Sequence, residues 1–378
     1  MKLRIPTRMQ YWWPILIAGL LWLVGFTYGS GWGAAHNVYR WAERITVAAF
    51  LLWAVLRFRS RYVRLTAVLL AGYLLFAFFY YQLRFDRSLL DYFWLFLLLP
   101  LMEQLTLEKE QMSLISLLFV LGSFVILLTA HYGTTLAGWD ENSISMPAFF
   151  SYTVFAASFG NTRNWKRITI FAIVSVIYFY LLWSLNSRSA ILFSILLVLC
   201  VFSVIPMQTA IRKRAFWLIL LTPLAVAILT VLVRNTGWIH EIDAWSATVF
   251  RKPLFNGRDN IWLEGFRRFW QNPILGNGSF GGNWHNSAVT LLVGVGTAGY
   301  LIYLGVIAYV LQKASRHSED YITRGLVLAY LTVWLQQSVE LGLVAPHGDA
   351  IPFAILGLAL ARARTLEKKQ QSVAEARS

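Results

Sequence analysis

The sequence predicts an all-α, polytopic membrane protein of about twelve transmembrane helices, with one large helical loop on the outer side. Composition is the first reason, because 58% of the 378 residues are hydrophobic and only 13% are charged, against roughly 25% charged in soluble domains. The second reason is that several apolar runs approach the ~20 residues that a helix needs to cross the hydrocarbon core. The third is the 17 tryptophans, a residue type that favours the membrane–water interface.

The apolar runs divide the chain into a series of predicted spans within a single integral membrane domain, residues 1–378. No small-residue cleavage site follows the first run, so we expect a span there rather than a signal peptide. The single cysteine, Cys200, lies inside an apolar run, which predicts a buried thiol and no disulfide or cysteine-based metal site. The predicted spans are residues 11–29, 43–57, 64–81, 88–102, 112–130, 146–160, 168–184, 189–207, 215–233, 286–311, 325–344 and 350–362.

The Lys and Arg residues orient these spans. With both termini in the cytoplasm, most of the 33 basic residues fall in inner segments, as the positive-inside rule requires. The net charge of +15 is then explained by topology and attraction to anionic headgroups, and it does not indicate nucleic-acid binding. The exception is the outer loop 234–285, between the ninth and tenth predicted spans. Its six basic residues, which suggest an anionic ligand, are Arg234, Arg251, Lys252, Arg258, Arg267 and Arg268.

Residues 258–271 of this loop have the periodicity of an amphipathic helix. The spacing gathers its aromatic residues on one side, and Asn272-Pro273 ends the pattern. We expect the helix to lie along the membrane interface, with its aromatics among acyl chains and its arginines at headgroup level. A role confined to anchoring the loop is the alternative. The residues that form the apolar side are Ile261, Trp262, Phe266, Phe269 and Trp270.

A glycine-rich segment, Gly276 to Gly282, follows the helix. Glycines permit positive φ angles and close backbone approach, so Gly276 and Gly278 are candidates to present N–H groups to an anion. A flexible hairpin that leads into the next span is the equally weighted alternative. A dinucleotide-binding fingerprint is excluded, because no strand precedes the glycines and no βαβ unit surrounds them.

Two further features supply candidate chemistry. His285 and Asn286 lie where the loop re-enters the membrane, and a histidine there can act as a general base near neutral pH. His347 is the second choice for that role. Arg188 lies in a short outer turn between predicted spans, where it either snorkels to water or, together with Arg258, grips a diphosphate through bidentate hydrogen bonds.

These segments together resemble the bacterial O-antigen ligase and polymerase superfamily. The detailed match covers residues 187–300, and the span count and the large outer loop extend it over the chain. Each motif is weak alone, but their order and placement are specific. The matching elements are Ser187-Arg188-Ser189-Ala190, Gly257-Arg258 followed by Trp262, Pro273 to Gly278, His285-Asn286, and Gly294 to Gly299 followed by Tyr300.

The resemblance implies a glycosyltransferase of the bacterial inner membrane, with its active site on the periplasmic side. The donor would be a glycan on undecaprenyl diphosphate, and the acceptor a lipid A-core sugar in a ligase. By the resemblance, Arg188 and Arg258 would bind the donor diphosphate and His285 would act on the acceptor hydroxyl, with Asn286 beside it. Arg251 is assigned a supporting role from its position in the loop alone. Membrane lipids are the other expected partners.

Arginine charge can neutralise the departing diphosphate, so we expect neither a metal nor another cofactor. Attack opposite the leaving group would invert the anomeric centre.

Three alternatives stay open. The polymerase of the same superfamily would use a second lipid-linked repeat unit as acceptor, and a related transferase would use another acceptor, including a protein. The ligase is favoured because only one outer loop is long, the outer segment 131–145 being modest. A transporter of lipid-linked anions would place charges inside the spans. Glu340, near Gln336 and Gln337, is the main charge of that kind.

Overall fold

In a computed structural model of the chain, the described residues are helices joined by turns and short irregular segments, and they include no strand. The predicted span 64–81 and most of the spans 43–57 and 88–102 lie outside the described residues, as do Arg251 and His347. The described ranges are 9–28, 98–132, 141–159, 164–205, 215–250, 255–280, 282–340 and 350–376, with the separate positions 37–39, 41, 42, 45, 46, 49, 96, 207 and 253.

The described helices coincide with the other nine predicted spans and with two helices in the large loop. The helices are α1 (Met9–Tyr28), α2 (Lys109–His131), α3 (Glu141–Phe159), α4 (Trp165–Ser184), α5 (Arg188–Val201), α6 (Ala215–Val233), α7 (Gly237–Phe250), α8 (Arg258–Gln271), α9 (Ser287–Ser315), α10 (Tyr321–Gln336) and α11 (Ala350–Glu375).

Four of the described helices are long and apolar enough to cross a membrane by length and composition. They comprise α2, α4, the segment Phe216–Val233 of α6, and α9. Shorter apolar helices occur at Tyr11–Thr27, Ile144–Phe159 and Arg188–Val201. Together these helices support a polytopic, membrane-embedded helical protein. The predicted total of twelve spans is not confirmed, because three of those spans fall largely outside the described residues.

The helix ends that differ most from the sequence prediction are those of α10 and α11. Helix α10 ends at Gln336 instead of continuing to residue 344, because the chain turns there and the carbonyl of Gln337 accepts a hydrogen bond from the backbone N–H of Ser287. Glu340 therefore lies beyond a helix end, and not in the middle of a span. Helix α11 continues to Glu375, well past the predicted end at residue 362, as a polar extension.

Helices α10 and α11 form the centre of the molecule, and small residues let neighbouring helices approach them closely. Trp334 of α10 and Phe353 of α11 are completely buried. A Cβ atom on Gly325 would lie 2.3 Å from the carbonyl oxygen of Ala157 in α3, so only glycine fits at this crossing. Close backbone approach at small residues is the usual way in which membrane helices associate.

Helix α9 is broken at Gly296, and the large loop fills the break. Gly296 has φ 66° and ψ −172°, which interrupts the helical hydrogen bonds. The N–H groups of Thr297 and Ala298 donate to the carbonyls of Pro273 and Ile274. In return, the N–H groups of Asn277 and Gly278 donate to the carbonyls of Val293 and Gly294, three and two residues before the break. Because buried backbone groups need partners, this exchange fixes the loop against the helix.

We expect Gly296→Ala to destabilise the protein by roughly 2–5 kcal/mol, from a strained positive φ and from overpacking. An added Cβ would lie 2.3 Å from the carbonyl oxygen of Ile274. The matched control is Gly305→Ala in the same helix, where nothing lies within 4 Å of the added atom. Thermal unfolding of the solubilised protein measures both. Equal melting temperatures for the two variants would contradict the role of the break.

A cluster of charges ties three helices together at the end of the molecule opposite Arg188. Arg362 of α11 is 2% exposed and donates to both carboxylate oxygens of Asp320, the N-cap of α10, and to the carbonyl of Leu107. Glu108, the N-cap of α2, lies 3.8 Å from Arg362 and also accepts from Lys369. Burial raises the pKa of Asp320, but hydrogen bonds from Arg362 and Thr323 outweigh burial and hold that pKa below the ordinary value.

A carboxyl with a lowered pKa in the folded state stabilises the protein above its unfolded pKa, near 4, and loses that contribution as the pH falls through the folded value. We therefore expect Asp320→Asn to cost roughly 3–5 kcal/mol at pH 7, since it removes the charge of the bidentate partner and leaves the buried Arg362 only the longer 3.8 Å contact with the Glu108 carboxylate. The difference from the wild type should shrink below about pH 4. Glu319→Gln, at the exposed neighbouring acid, is the control and should change little. A difference that is independent of pH would contradict the ion pair.

Candidate active site

Residues far apart in the sequence converge on the carboxylate of Glu340, whose side chain is only 5% exposed. Arg258, the first residue of α8, donates from Nη2 to Oε1 at 2.7 Å. Ser189, next to Arg188, donates its hydroxyl to the same oxygen at 3.2 Å. The Nδ1 atom of His285 lies 3.8 Å from the other oxygen, Oε2. The structure thus brings two of the predicted motifs and the neighbour of Arg188 to one buried acid.

The backbone conformation of His285 directs its imidazole ring toward Glu340. Its φ angle is +46°, an uncommon value for a residue other than glycine that is often seen at functional sites. The side chain is 26% exposed, while its Nδ1 atom is buried and faces Glu340. The remaining exposure belongs to the other ring atoms, so Nε2 is the nitrogen available to a substrate.

Several buried polar atoms around Glu340 have no hydrogen-bond partner within the described part of the chain. In an apolar protein such atoms are rare and call for an explanation, which at a functional site is a polar ligand or water. Two of them, on His285 and Glu340, face each other at 3.8 Å, and Glu340 also contacts Arg258, which supports a binding site here. The atoms are Ser187 Oγ, His285 Nδ1, Gln336 Nε2, Ser338 Oγ and Glu340 Oε2.

Asn286 is a structural support for the site. It is the N-cap of α9, where its side-chain oxygen accepts from the N–H of Val289, and its Nδ2 donates to the carbonyls of Pro223 and Ser338. Pro223 lies ten residues before the end of α6 at Val233, which corresponds to about 15 Å along a helix axis. The Asn286 side chain is therefore level with the middle of α6, and not with its end.

Arg188 lies at the first residue of α5 and points to the large loop. Its Nη1 donates to the hydroxyl of Ser246 in α7, and its Nη2 donates to the carbonyl of Pro253, both at 3.3 Å. The guanidinium group is thus oriented by the large loop. Both hydrogen bonds are long and have neutral acceptors, so the positive charge of Arg188 is not cancelled by these two contacts.

The glycine segment does not offer the anion nest considered from the sequence. The N–H of Gly276 donates to the carbonyl of Asn272, and the N–H of Gly278 donates to the carbonyl of Gly294. A Cβ atom on Gly276 would lie 2.5 Å from the backbone of Gly294 and Gly296. These glycines allow two backbones to touch, and they support the site by fixing the loop that leads to His285.

Helix α8 has the predicted boundaries but a different environment from the one predicted. Its Trp262 is 1% exposed and donates its indole N–H to the carbonyl of Trp284 at 2.7 Å. Phe266 and Phe269 pack against the protein core, and Trp270 alone among the five predicted aromatic and aliphatic residues is largely exposed. The apolar face of α8 is thus packed against protein at Trp262 and partly so at Phe266 and Phe269, which fixes Arg258 at the start of the helix.

Glu340 and Ser189 belong to the site although the sequence did not predict them as members. In the sequence Glu340 is a charge in an apolar run, a pattern that on its own favours a transporter. Its membership of the site could not be predicted because its partners are distant in the chain. Ser189 is part of a matching motif without an assigned role. The proposed role of Arg251 falls outside the described residues.

Within the described residues, no group of three or more His, Cys, Asp or Glu side chains could hold a metal ion. What the arrangement offers is two guanidinium groups, a buried carboxylate and a partly exposed imidazole. No known family model and no curated protein matches this chain. Any assignment of function consequently rests on the motifs and on the geometry of this site.

Proposed function

We propose that the chain is a glycosyltransferase that moves a glycan from undecaprenyl diphosphate to a lipid A-core sugar, in the manner of an O-antigen ligase. The observation that carries the proposal is the convergence of Arg258, His285 and the Arg188–Ser189 pair on Glu340. Arg258 and a candidate base lie beside one buried acid, and Arg188 adjoins the serine that also contacts this acid, which fits a donor with an anionic leaving group and an acceptor with a hydroxyl.

The reaction needs one bond formed, one broken and one proton moved. His285 accepts the proton of the acceptor hydroxyl at Nε2, and the acceptor oxygen attacks the anomeric carbon of the glycan. The bond between that carbon and the diphosphate oxygen breaks, and undecaprenyl diphosphate leaves with the bonding electrons. Attack from the side opposite the leaving group inverts the anomeric centre. NMR of the product linkage tests this, and retention would contradict it.

The arginines stabilise the charge that develops on the leaving diphosphate. A guanidinium group has five N–H donors, so Arg258 retains donors for a phosphate after its single bond to Glu340. Glu340 offsets one of the two positive charges before the donor binds. Arg188, which the large loop orients through Ser246 and Pro253, is the second guanidinium group proposed to bind the donor diphosphate.

Glu340 is a positioning residue in this proposal. A carboxylate beside Nδ1 favours the tautomer with the proton on Nδ1, which leaves Nε2 free to act as a base. The 3.8 Å separation is longer than a hydrogen bond, and catalytic contacts are often long before the substrate binds. The same carboxylate also positions Arg258, so Glu340 orients both the candidate base and one candidate ligand of the diphosphate.

We expect Glu340→Gln to lower kcat substantially, by less than the loss of His285, while the KM for the donor stays the same or falls because a negative charge is removed. Glu340→Asp should recover part of the rate. The control is Glu264→Gln, an exposed acid of α8 that pairs with Arg267 and Arg268. Steady-state kinetics distinguishes the roles, since a purely structural defect would lower the active fraction alike in the Gln and Asp variants.

Reconstitution with defined substrates separates the candidate functions. The purified protein is placed in liposomes with lipid-linked glycan, with or without lipid A-core. Transfer that occurs only to lipid A-core supports the ligase. A ladder of longer lipid-linked chains in the absence of lipid A-core supports the polymerase. Movement of the donor across the bilayer without any new glycosidic bond would contradict both and favour the transporter.

A further inference from the structure

Helix α7 exposes an apolar stripe, which we define as Trp238, Ile242 and Trp245. These side chains are 52%, 37% and 59% exposed. Their spacing of four and then three residues places them on one face of the helix. The opposite face carries the exposed residues His240, Ala244 and Ala247, none of them large and apolar. The helix is therefore amphipathic, although its stripe does not face the protein core.

A different flank of α7 attaches the helix to the site. Ile239 and Ser246 are buried, and the hydroxyl of Ser246 accepts the hydrogen bond from Arg188. Asp243 accepts from the backbone N–H of Phe255 at 3.2 Å, which ties the helix to the segment before Arg258. The stripe lies beside this attached flank, on the surface of the molecule.

The stripe follows closely in the chain after the exposed apolar end of α6, a candidate membrane span. Leu229 and Leu232 near the end of α6 are 59% and 71% exposed, as expected for side chains that face lipid. Only Arg234, Asn235 and Thr236 separate the two helices, and the N–H of Thr236 donates to the carbonyl of Val233. Tryptophan also favours the boundary between acyl chains and headgroups.

We propose that α7 is an interfacial helix whose stripe is inserted among the acyl chains of the leaflet at the Arg188 end of the molecule. The sequence pattern assigned this role to α8, whose aromatics are instead mostly buried in protein. A helix held by lipid on one face and by Arg188 on its flank places that arginine near the headgroups. The insertion goes beyond the proposed function and does not depend on it.

Spin labels on single cysteines test the insertion in proteoliposomes of phosphatidylethanolamine and phosphatidylglycerol. Cys200→Ala provides a cysteine-free background, because Cys200 is the single cysteine of the chain. The stripe positions are probed by Trp238→Cys and Ile242→Cys, and the controls are Ala244→Cys and Ala247→Cys. Each label is assayed for collision with oxygen, which concentrates in lipid, and with a water-soluble nickel chelate.

The proposal predicts high oxygen and low nickel accessibility at positions 238 and 242, and the reverse at positions 244 and 247. High nickel accessibility at the stripe positions would overturn it by showing that they face water. Low accessibility to both probes would also overturn it, because protein would then cover the stripe. Since no transfer reaction is measured, this outcome is separate from the success or failure of the proposed function.

Discussion

Replacing His285 with alanine is expected to abolish glycan transfer while leaving the protein folded and able to bind the donor. The physical reason is that the acceptor hydroxyl loses its base, and general-base catalysis contributes typically ~10²–10⁴-fold to rate. The imidazole is 26% exposed and makes no hydrogen bond within the described residues from its buried Nδ1, so its removal costs little packing. Transfer in proteoliposomes measures the rate, and donor binding is measured separately.

The matched control is His240→Ala, at an exposed histidine of α7 in the same large loop. This variant should transfer glycan at the rate of the wild type. Thermal unfolding and size-exclusion chromatography should be unchanged for both variants. Full turnover by the His285 variant would remove the assignment of this residue as the base.

Replacing Arg258 with alanine is expected to have two effects that can be separated. The first is a loss of stability of roughly 3–5 kcal/mol, because breaking a buried ion pair leaves a charge without compensation. Glu340 would be that charge, since its side chain is 5% exposed and Arg258 contacts it at 2.7 Å. The second is a loss of donor binding, because one of two cationic groups that would hold the diphosphate is missing.

The double variant Arg258→Ala/Glu340→Gln distinguishes the two effects. Neutralising the carboxylate removes the uncompensated charge, so the melting temperature should recover toward that of the wild type. Transfer and donor binding should stay lost, since no cation is restored. Arg267→Ala, at an exposed arginine of the same helix, should change stability little. Recovery of transfer in the double variant would show that Arg258 serves only to hold Glu340.

Hydrophobic patterning predicts most of the described fold. The boundaries of α6 and α8 agree with the predicted 215–233 and 258–271. The predicted end of α10 is wrong because the apolar run continues past Gln337, while the backbone turns to pair with the start of α9. Hydropathy cannot foresee that turn, since a tertiary hydrogen bond determines it.

The predicted environment of α8 is wrong for Trp262, which is buried in protein, and the reason is related. Periodicity shows that one face is apolar, but an apolar face can meet lipid or protein equally well. Two contacts place this part of the face against protein. Trp262 donates a hydrogen bond to the carbonyl of Trp284, and Gly265 packs against Val289. The stripe of α7 is only three residues long, which is too short for a clear periodic signal in the sequence.

The candidate site is predictable in its parts but not in its centre. Arg188, Arg258 and His285 stand out because charges and a histidine are rare in an apolar chain. Glu340 is just as rare, but its role depends on contacts with residues 55 to 151 positions away in the chain. Such contacts follow from the packing of α5, α8 and α10, which local patterns do not contain.

The most direct test of the account is the stoichiometry of the reaction in proteoliposomes that contain EDTA. The protein is supplied with undecaprenyl-diphosphate-linked glycan and lipid A-core, and both released undecaprenyl diphosphate and glycosylated lipid A-core are measured. The wild type is expected to yield equal amounts of the two products, and the His285→Ala variant neither. Failure of the wild type to release undecaprenyl diphosphate, or equal release by the variant, would contradict the site described here.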